Sequence, residues 1–478
     1  MLPKRKDHQQ TSFYTTFEEQ LDHSHPLYIL AHKIYWRQFD DAFRQYYSED
    51  KGAPAKSIRL MVSLLILKHI RNLSDESVVE QWAENAYYQY LSGELVFAAK
   101  QPCVPTELVE FRKRIGESGI ELIFRESIRV NGKDGHENDG TTDTTVQEKN
   151  ITFPTDSKLH KKIISHCKSI AEKENIDLRQ SYTLTLKKLT LLQRFRNHPK
   201  NHGKARKADK KIKTIAGRLI RELERKLPAV NNYQPELELY NKILLQKRYD
   251  KQKIYSVHEP HVQCISKGKE HKKYEFGSKV SIITTKNSGV IIGAINIPKN
   301  DYDAHTLEPA IEQQQRLTGH ALKNNFVDRG YRGVKNVLGT NIIVADNNRN
   351  KSVYKKQKLR KGFRRRAAIE PRIGHLKSDH RLSRNFYKGI FGDNINVMLA
   401  AAAMNFKRMM NKWKRNPDFY FFFKFLQILF GNKQELFLSS RKILFEDRLF
   451  KSNMERWNKN DVGWECAYRR CRYLRTCM

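Results

Sequence analysis

The sequence predicts an α/β fold: a mixed sheet with flanking helices, interrupted by a helical insertion after its first strand and preceded by an all-helical N-terminal domain. Three observations predict it. Residues 12–125 carry apolar side chains at helical spacing. A β-branched stretch at 139–153 gives way to helical pattern from Thr155 to about Pro228. Strand patterns resume at 255, and strand and helix then alternate to about Lys377. The boundaries expected are 12–125 for the helical domain, 136–412 for the sheet domain with 155–255 inserted, and 413–478 for a C-terminal tail.

In the first region, Ile58, Leu60, Met61, Leu64, Leu65 and Leu67 crowd one broad face. Arg71-Asn72-Leu73 ends that run, and Ser74 is placed to cap a second helix with Asp75 and Glu76 in its first turn. Val78, Val79, Trp82 and Ala86 follow. Two short helices about a tight turn in a basic chain are compatible with helix-turn-helix DNA binding, and equally with a plain helical hairpin. Cys103 stands between Pro102 and Pro105 in a loop, before a helix near Glu107–Ile115.

Thr141, Thr142, Thr144, Thr145, Val146 and Ile151, bounded by Asp139-Gly140 and Pro154, mark the first strand. In the insertion, Leu159, Ile163, Ile164, Cys167 and Ile170 form one stripe, and Ile212, Ile215, Leu219, Leu223 and Leu227 another. Between them lies a basic block of Lys204, Arg206, Lys207, Lys210, Lys211 and Lys213, read equally as a solvated face and as a phosphate-contacting one. Tyr274–Ile283 and Gly289–Ile295 look like a hairpin. A helix near Thr306–Gln315, short strands at Asn325–Asp328 and Ile342–Ala345, and a helix across Phe363–Lys377 complete the pattern. In the tail, Asp418–Gly431 is rich in Phe, but Lys424 and Gln427 interrupt it, favouring a buried or interfacial helix over a membrane span. Cys466, Cys471 and Cys477 lack the spacing and partners of a zinc site.

Composition narrows the partner. The 478 residues suffice for two or three domains, and a hydrophobic fraction of 39% excludes wholesale disorder. The chain carries 89 Lys plus Arg against 52 Asp plus Glu, a net charge of +37. That excess repels itself in the folded state and calls for a polyanion, nucleic acid before a membrane surface. No uncharged apolar run reaches the roughly 18 residues of a spanning helix, and the first ten residues lack the apolar core of a secretion signal. Six scattered cysteines fit a reducing compartment, so a cytoplasmic location without membrane partners is expected.

Three acidic residues sit where acid is costly. Asp143 lies inside the Thr-rich strand, Asp328 closes the strand Asn325–Val327, and Glu370 follows Ile369 within the last helix. Such carboxylates must be solvated, paired or bound to a cation. If they converge, hard oxygen ligands suit Mg2+ or Mn2+, and two ions about 3.5–4 Å apart would activate a nucleophile and stabilise a leaving oxygen. Taken singly, each is more often a turn or surface residue. Spacing alone does not choose Asp143 over Asp139, or Asp328 over Asp346.

Around Glu370 the chain reads Phe363-Arg364-Arg365-Arg366-Ala367-Ala368-Ile369-Glu370-Pro371-Arg372-Ile373-Gly374-His375-Leu376-Lys377. This resembles the Tyr-(2)-Arg-(3)-Glu-(6)-Lys pattern of bacterial insertion-sequence transposases with a D-D-E active site. Asp379-His380-Arg381-Leu382, Gly392-Asp393, Ile395-Asn396 and Ala400–Ala403 are similar to the fifth insertion-sequence family in particular. So are Asp328-Arg329-Gly330-Tyr331-Arg332-Gly333, Lys267-Gly268-Lys269, Tyr274–Val280 and Asp143-Thr144-Thr145-Val146. The resemblance spans roughly residues 12–412. One departure is Phe363 at the usual Tyr position, which removes a hydroxyl and alters a substrate contact more than the chemistry.

The resemblance implies a ribonuclease-H-like core with Asp143, Asp328 and Glu370 as catalytic ligands to Mg2+ or Mn2+, two ions in all. It implies that Arg366 and Lys377 contact the phosphates of transposon ends or the flanking base. On one continuous helix, Arg366, Glu370 and Lys377 would share a face; an Arg366–Glu370 ion pair is the plainer account of that spacing. Phe363, Arg332 and His375 join the expected DNA contacts, with Lys204, Lys207 and Lys210 of the basic block. His375 and His380 fit packing or phosphate contact better than general base work. The implied function is a transposase acting on double-stranded DNA, at transposon ends and target, in the bacterial cytoplasm at the nucleoid. Its N-terminal helices would bind the terminal inverted repeats, and it would assemble as a homo-oligomer on DNA. A catalytically inactive, transposase-derived DNA-binding protein is the alternative, favoured by the odd tail and opposed by the intact acidic residues. A host nuclease with the same core fits the N-terminal helices and the run after Lys377 less well.

Overall fold

Apolar residues at helical spacing build the first part of the chain: α1 (Phe17–Gln20), α2 (Pro26–Lys33), α3 (Arg37–Phe43), α4 (Ile58–Ile70), α5 (Asp75–Glu84), α6 (Ala86–Leu91) and α7 (Pro105–Val130). The structure is a computed structural model that describes residues 16–48, 52, 54–228, 230–247, 249–266, 272–345 and 352–415. The described residues up to Lys414 belong to one compact unit. The expectations for the Phe-rich stretch, the last three cysteines, Lys267–Lys269 and Asp346 lie outside the described residues.

Ser57 and Ser74 cap α4 and α5, accepting from the N–H groups of Leu60 and Ser77. Apart from Arg59, every residue of α4 is buried, the signature of a helix enclosed on all sides. The exposed positions of α5 include Glu76, Glu80 and Glu84, one acidic stripe at four-residue spacing. Phosphates repel such a stripe, so the plain hairpin reading suits this helix pair better than a DNA-reading one. α7 bends at Gly116, whose φ of 64° no β-carbon-bearing residue adopts easily.

β1 (Asp139–Lys149) then enters the sheet, and the insertion follows as α8 (Asp156–Lys173), α9 (Thr183–Gln193), α10 (Pro199–Lys226) and α11 (Gln234–Leu245). β2 (Gln263–Ser266), β3 (Tyr274–Thr285) and β4 (Ile291–Ile297) lead to α12 (Leu307–Thr318). After it come β5 (Asn324–Val327), β6 (Asn336–Val337), β7 (Thr340–Val344), α13 (Val353–Arg364), α14 (Ile369–Asp379), β8 (Arg384–Asn385) and α15 (Gly389–Arg415). β1 is central. It runs antiparallel to β3 from Gly140↔Thr285 to Glu148↔Gly277, and parallel to β5 from Asp139↔Asn324 to Thr141↔Phe326. β4 and β2 extend the antiparallel side on β3, and β7 lies parallel to β5. Gly277 is required at its place, because a Cβ there would fall 1.9 Å from the Gln147 carbonyl oxygen.

One apolar core joins the N-terminal helices to the sheet. Phe43, Leu65, Trp82 and Phe124 belong to the same buried cluster as Val280, Ile291, Leu307, Ala400 and Phe406. The insertion has its own core, with Ile163 and Cys167 of α8, Ile212 and Leu219 of α10, and Tyr240 of α11. No helix among the described residues is long and apolar enough to cross a membrane.

The helix expected across Phe363–Lys377 is broken. α13 ends at Arg364, a tight turn takes Arg366–Ala368, and α14 begins at Ile369. Pro371 is the physical reason: it lacks an N–H, and its ring collides with the carbonyl four residues back, so it fits only a first helical turn. Arg366 therefore does not share a helix face with Glu370 and Lys377.

Candidate active site

The parallel pairing of β1 and β5 sets the site. Carrying its register on from Thr141↔Phe326 brings Asp143 level with Asp328, where β5 has just ended. Asp143 sits opposite Ile282 of β3, and its Oδ1 accepts the N–H of Thr144 at 2.8 Å. Asp328 caps the turn Arg329–Tyr331, its Oδ1 accepting the N–H of Gly330 at 2.8 Å. Both carboxylates are half-buried.

Arg366 stands between them. Arg366 Nη2 lies 3.5 Å from Asp328 Oδ2 and 3.9 Å from Asp143 Oδ2. Its Nε is buried with no hydrogen-bond partner. The break before Pro371 turns this guanidinium toward the sheet, so the plainer Arg366–Glu370 pair gives way to a bridge across two aspartates. Glu370, in the first turn of α14, is exposed. Among the described residues no group of three or more His, Cys, Asp or Glu side chains is gathered to hold a metal ion. The structure thus brings together Asp143, Asp328 and Arg366, and leaves Glu370 outside.

The two aspartates nonetheless fit a hard divalent ion. Their Oδ2 atoms already converge on one positive group, and carboxylate oxygens are the donors Mg2+ and Mn2+ accept. Asp139, the competing candidate on β1, is instead committed to Lys286 Nζ at 3.0 Å and Asn324 Nδ2 at 2.9 Å.

The other expected residues lie around and beyond this pair. The Phe363 ring meets Phe326 of β5 edge-on, centroids 5.5 Å apart, so it packs beside the strand that carries Asp328. Lys377 Nζ is 3.8 Å from Glu275 Oε1, whose second oxygen is buried without a partner. Arg332 is exposed just past the turn, and His375 is exposed and paired with Asp379 at 2.9 Å. His380 is buried, its Nδ1 3.0 Å from the His69 carbonyl oxygen, a packing role. Burial, outweighing that bond, lowers its pKa. Lys204, Lys207 and Lys210 are exposed along α10.

Four neighbours were given no role by the sequence: Thr144, Lys279 and Tyr331, which lie in the motif segments, and Asp303, which lies in none. Asp303 follows β4 in an irregular stretch with no periodicity to mark it. Tyr331 is fully buried, with Thr144 as the side chain that its hydroxyl meets. Its pKa is raised well above the usual tyrosine value, by burial first and then by the carboxylates of Asp303, Asp143 and Asp328.

Comparison with known proteins agrees with this geometry. Residues 15–114 match the family described as Transposase domain (DUF772), and residues 248–406 match the Transposase DDE domain. Asp328 and Glu370 fall inside the second match; Asp143 and most of the insertion fall between the two. The chain is 40% identical over 174 residues to "Uncharacterized protein ORF8 in nfe locus" of Rhizobium meliloti, covering 35% of this chain and 84% of that protein. No solved structure matches. The strand order β4-β3-β1-β5-β7, three antiparallel and then two parallel, is the ribonuclease-H-like arrangement that the DDE domain implies. With a transposase domain at its N-terminal side and a DDE domain after it, the chain belongs to the DDE transposases, of the kind seen in the fifth insertion-sequence family.

Proposed function

We propose that the protein binds the terminal inverted repeats of its own element, cuts DNA there, and joins the freed 3′ hydroxyl to target DNA. Asp143, Asp328 and Glu370 are the ligands of this reading, for Mg2+ or Mn2+. The observation that carries it is the shared cation: two carboxylates on neighbouring parallel strands hold one positive group between them. When bound, a pair of divalent ions would supply an activated nucleophile and a stabilised leaving oxygen. The chain's own part is placement and charge. Asp143 and Asp328 are fixed by sheet register. Glu370 stands at the start of α14, and with the aspartates it would complete the ligand set for the ions. Arg366 sits between the carboxylates where an ion would lie; with an ion bound there, its guanidinium and Lys377 of α14 would be available to a phosphate of the DNA end.

The insertion contributes a second phosphate surface. α10 exposes Lys204, Arg206, Lys207, Lys210 and Lys211 outside its own apolar core, and such a face suits backbone contact with double-stranded DNA. Two transposon ends must meet for strand transfer, so a homo-oligomer on DNA, at the nucleoid of the bacterial cytoplasm, is part of the proposal.

The outward position of Glu370 favours one rival, a catalytically inactive DNA-binding descendant. Glu370→Gln separates the two. On the main reading the wild-type chain cleaves an inverted-repeat duplex in Mg2+, and Glu370→Gln cleaves at least a hundredfold more slowly while binding it within about twofold. Cleavage at the wild-type rate by this variant sinks the assignment, and a wild-type chain that binds but never cleaves supports the rival.

A further inference from the structure

Asp303 opens the turn that joins β4 to α12. Its Oδ1 accepts hydrogen bonds from Thr144 Oγ1 at 3.1 Å and from Lys279 Nζ at 3.0 Å. Its Oδ2 faces the turn after β5: a Cβ placed on Gly330 would meet Asp328 Oδ1 at 2.9 Å and Asp303 Oδ2 at 3.1 Å. One side chain thus bonds to the strand that carries Asp143 and lies close to the turn that follows Asp328. Only its backbone carbonyl serves the local turn, accepting from Thr306 Oγ1 at 2.7 Å, a bond that any residue could supply. A capping role therefore leaves the carboxylate unexplained.

Tyr331 supplies a second, independent pointer. It is enclosed completely, with Thr144 as the neighbour of its hydroxyl and with Asp303, Asp143 and Asp328 as the charges that act on it. Carboxylates crowded around one buried group repel one another. That cost brings no packing in return, and it is relieved when a positive species joins the site and supplies a counter-charge.

We propose that Asp303 is a positioning residue of the catalytic site: held by Thr144, it fixes the separation of Asp143 and Asp328 and deepens the negative field that draws divalent ions there. It acts through the two aspartates and not as a ligand, its Oδ1 being taken by Thr144 and Lys279. Lys279, nearly buried beside it, sets how much of that field survives. The proposal rests on Asp143 and Asp328 being the metal ligands.

The test is Mn2+ binding to the full chain without DNA, followed by calorimetry and by the electron paramagnetic resonance of free Mn2+. Asp303→Asn preserves shape and removes charge; its Mn2+ affinity falls about tenfold while its melting temperature without ions stays near that of wild type. Lys279→Met shifts affinity the other way, binding Mn2+ several-fold more tightly, a sign that mere loss of packing does not produce. Should Asp303→Asn fail to fold, Thr144→Val is read in the same titration and weakens Mn2+ about threefold. Unchanged Mn2+ affinity in the folded carboxamide variant, or in Thr144→Val if that is the one read, overturns the proposal. Asp143→Asn and Asp328→Asn are the control. If both keep wild-type affinity, the metal-ligand reading itself fails; if they lose it while Asp303→Asn does not, only the role of Asp303 fails.

Discussion

Arg366 occupies the space between two carboxylates that would otherwise repel one another, so it and a divalent ion compete for the same oxygens. Arg366→Ala removes the competitor. Its melting temperature without ions falls, and saturating Mn2+ raises it by more than in wild type, by about 3 °C extra for each 1 kcal/mol of competition removed. Equal Mn2+ shifts in the two proteins would show that the guanidinium and the ion do not exclude each other. A second residue sets acid stability. His69 is fully buried, with Nδ1 3.2 Å from the Leu65 carbonyl oxygen and Nε2 3.3 Å from Asn396 Oδ1. Burial, then the nearby Lys68 charge, push its pKa down to about 3. Because this lies below the unfolded value of about 6.5, its contribution is complete above that pH and is lost as pH falls toward 3. Melting temperatures at pH 7.5 and 5 are expected to diverge in wild type and to converge in His69→Gln. At this scale the sequence named Asp143, Asp328 and Glu370 through motif resemblance, since each alone reads as an ordinary acid. It missed Asp303 because its placement depends on a turn between β4 and α12 that has no period, and it named Tyr331 only as part of a motif, without a role.

Strands and helices were far more legible than their ends. β1 is spelled out by its β-branched residues, and the β3–β4 hairpin by alternation about a Gly. The break between α13 and α14 was also written in the chain, at Pro371, but is visible only if first-turn proline is treated as a helix start and not as a tolerated interior residue. That single reading moves Arg366 from the side of Glu370 to the side of the aspartates. Gly277 marks the closest approach of two elements. In Gly277→Ala the added carbon would lie 1.9 Å from the Gln147 carbonyl oxygen, forcing β3 away from β1. We expect a loss of about 3 kcal/mol or more, read by chemical denaturation, whereas Gly203→Ala, with open space around it on α10, should cost nothing measurable.

Across the whole molecule, apolar spacing announced buried faces without saying what they are buried against. The N-terminal helices share the core of the sheet, while the insertion closes a core of its own. The net charge of +37 likewise announced a polyanion without locating it. The exposed lysines of α10 are one location to test. Replacing Lys204, Lys207 and Lys210 together with Ala should make the slope of log affinity for inverted-repeat DNA against log salt shallower by about 2.7, at about 0.9 for each phosphate that is no longer neutralised. Fluorescence anisotropy across a salt series measures this, and an unchanged slope removes that face of α10 from the DNA.

The separate core of the insertion has a kinetic meaning. β1 emerges from the ribosome long before β3 and β5, the strands that must flank it. Until they arrive, the central strand has two bare edges, the condition under which nascent chains stick to one another. The insertion is the next stretch made, and its core forms between residues close in sequence, which is the fast kind of folding. It can therefore be complete while β1 still waits, a compact, strongly basic body tethered beside an unfinished sheet. Interrupting a sheet after its first strand would otherwise slow its assembly; filling the gap with a self-sufficient helical unit turns the delay into an ordered sequence, with Asp143 and Asp328 aligned last.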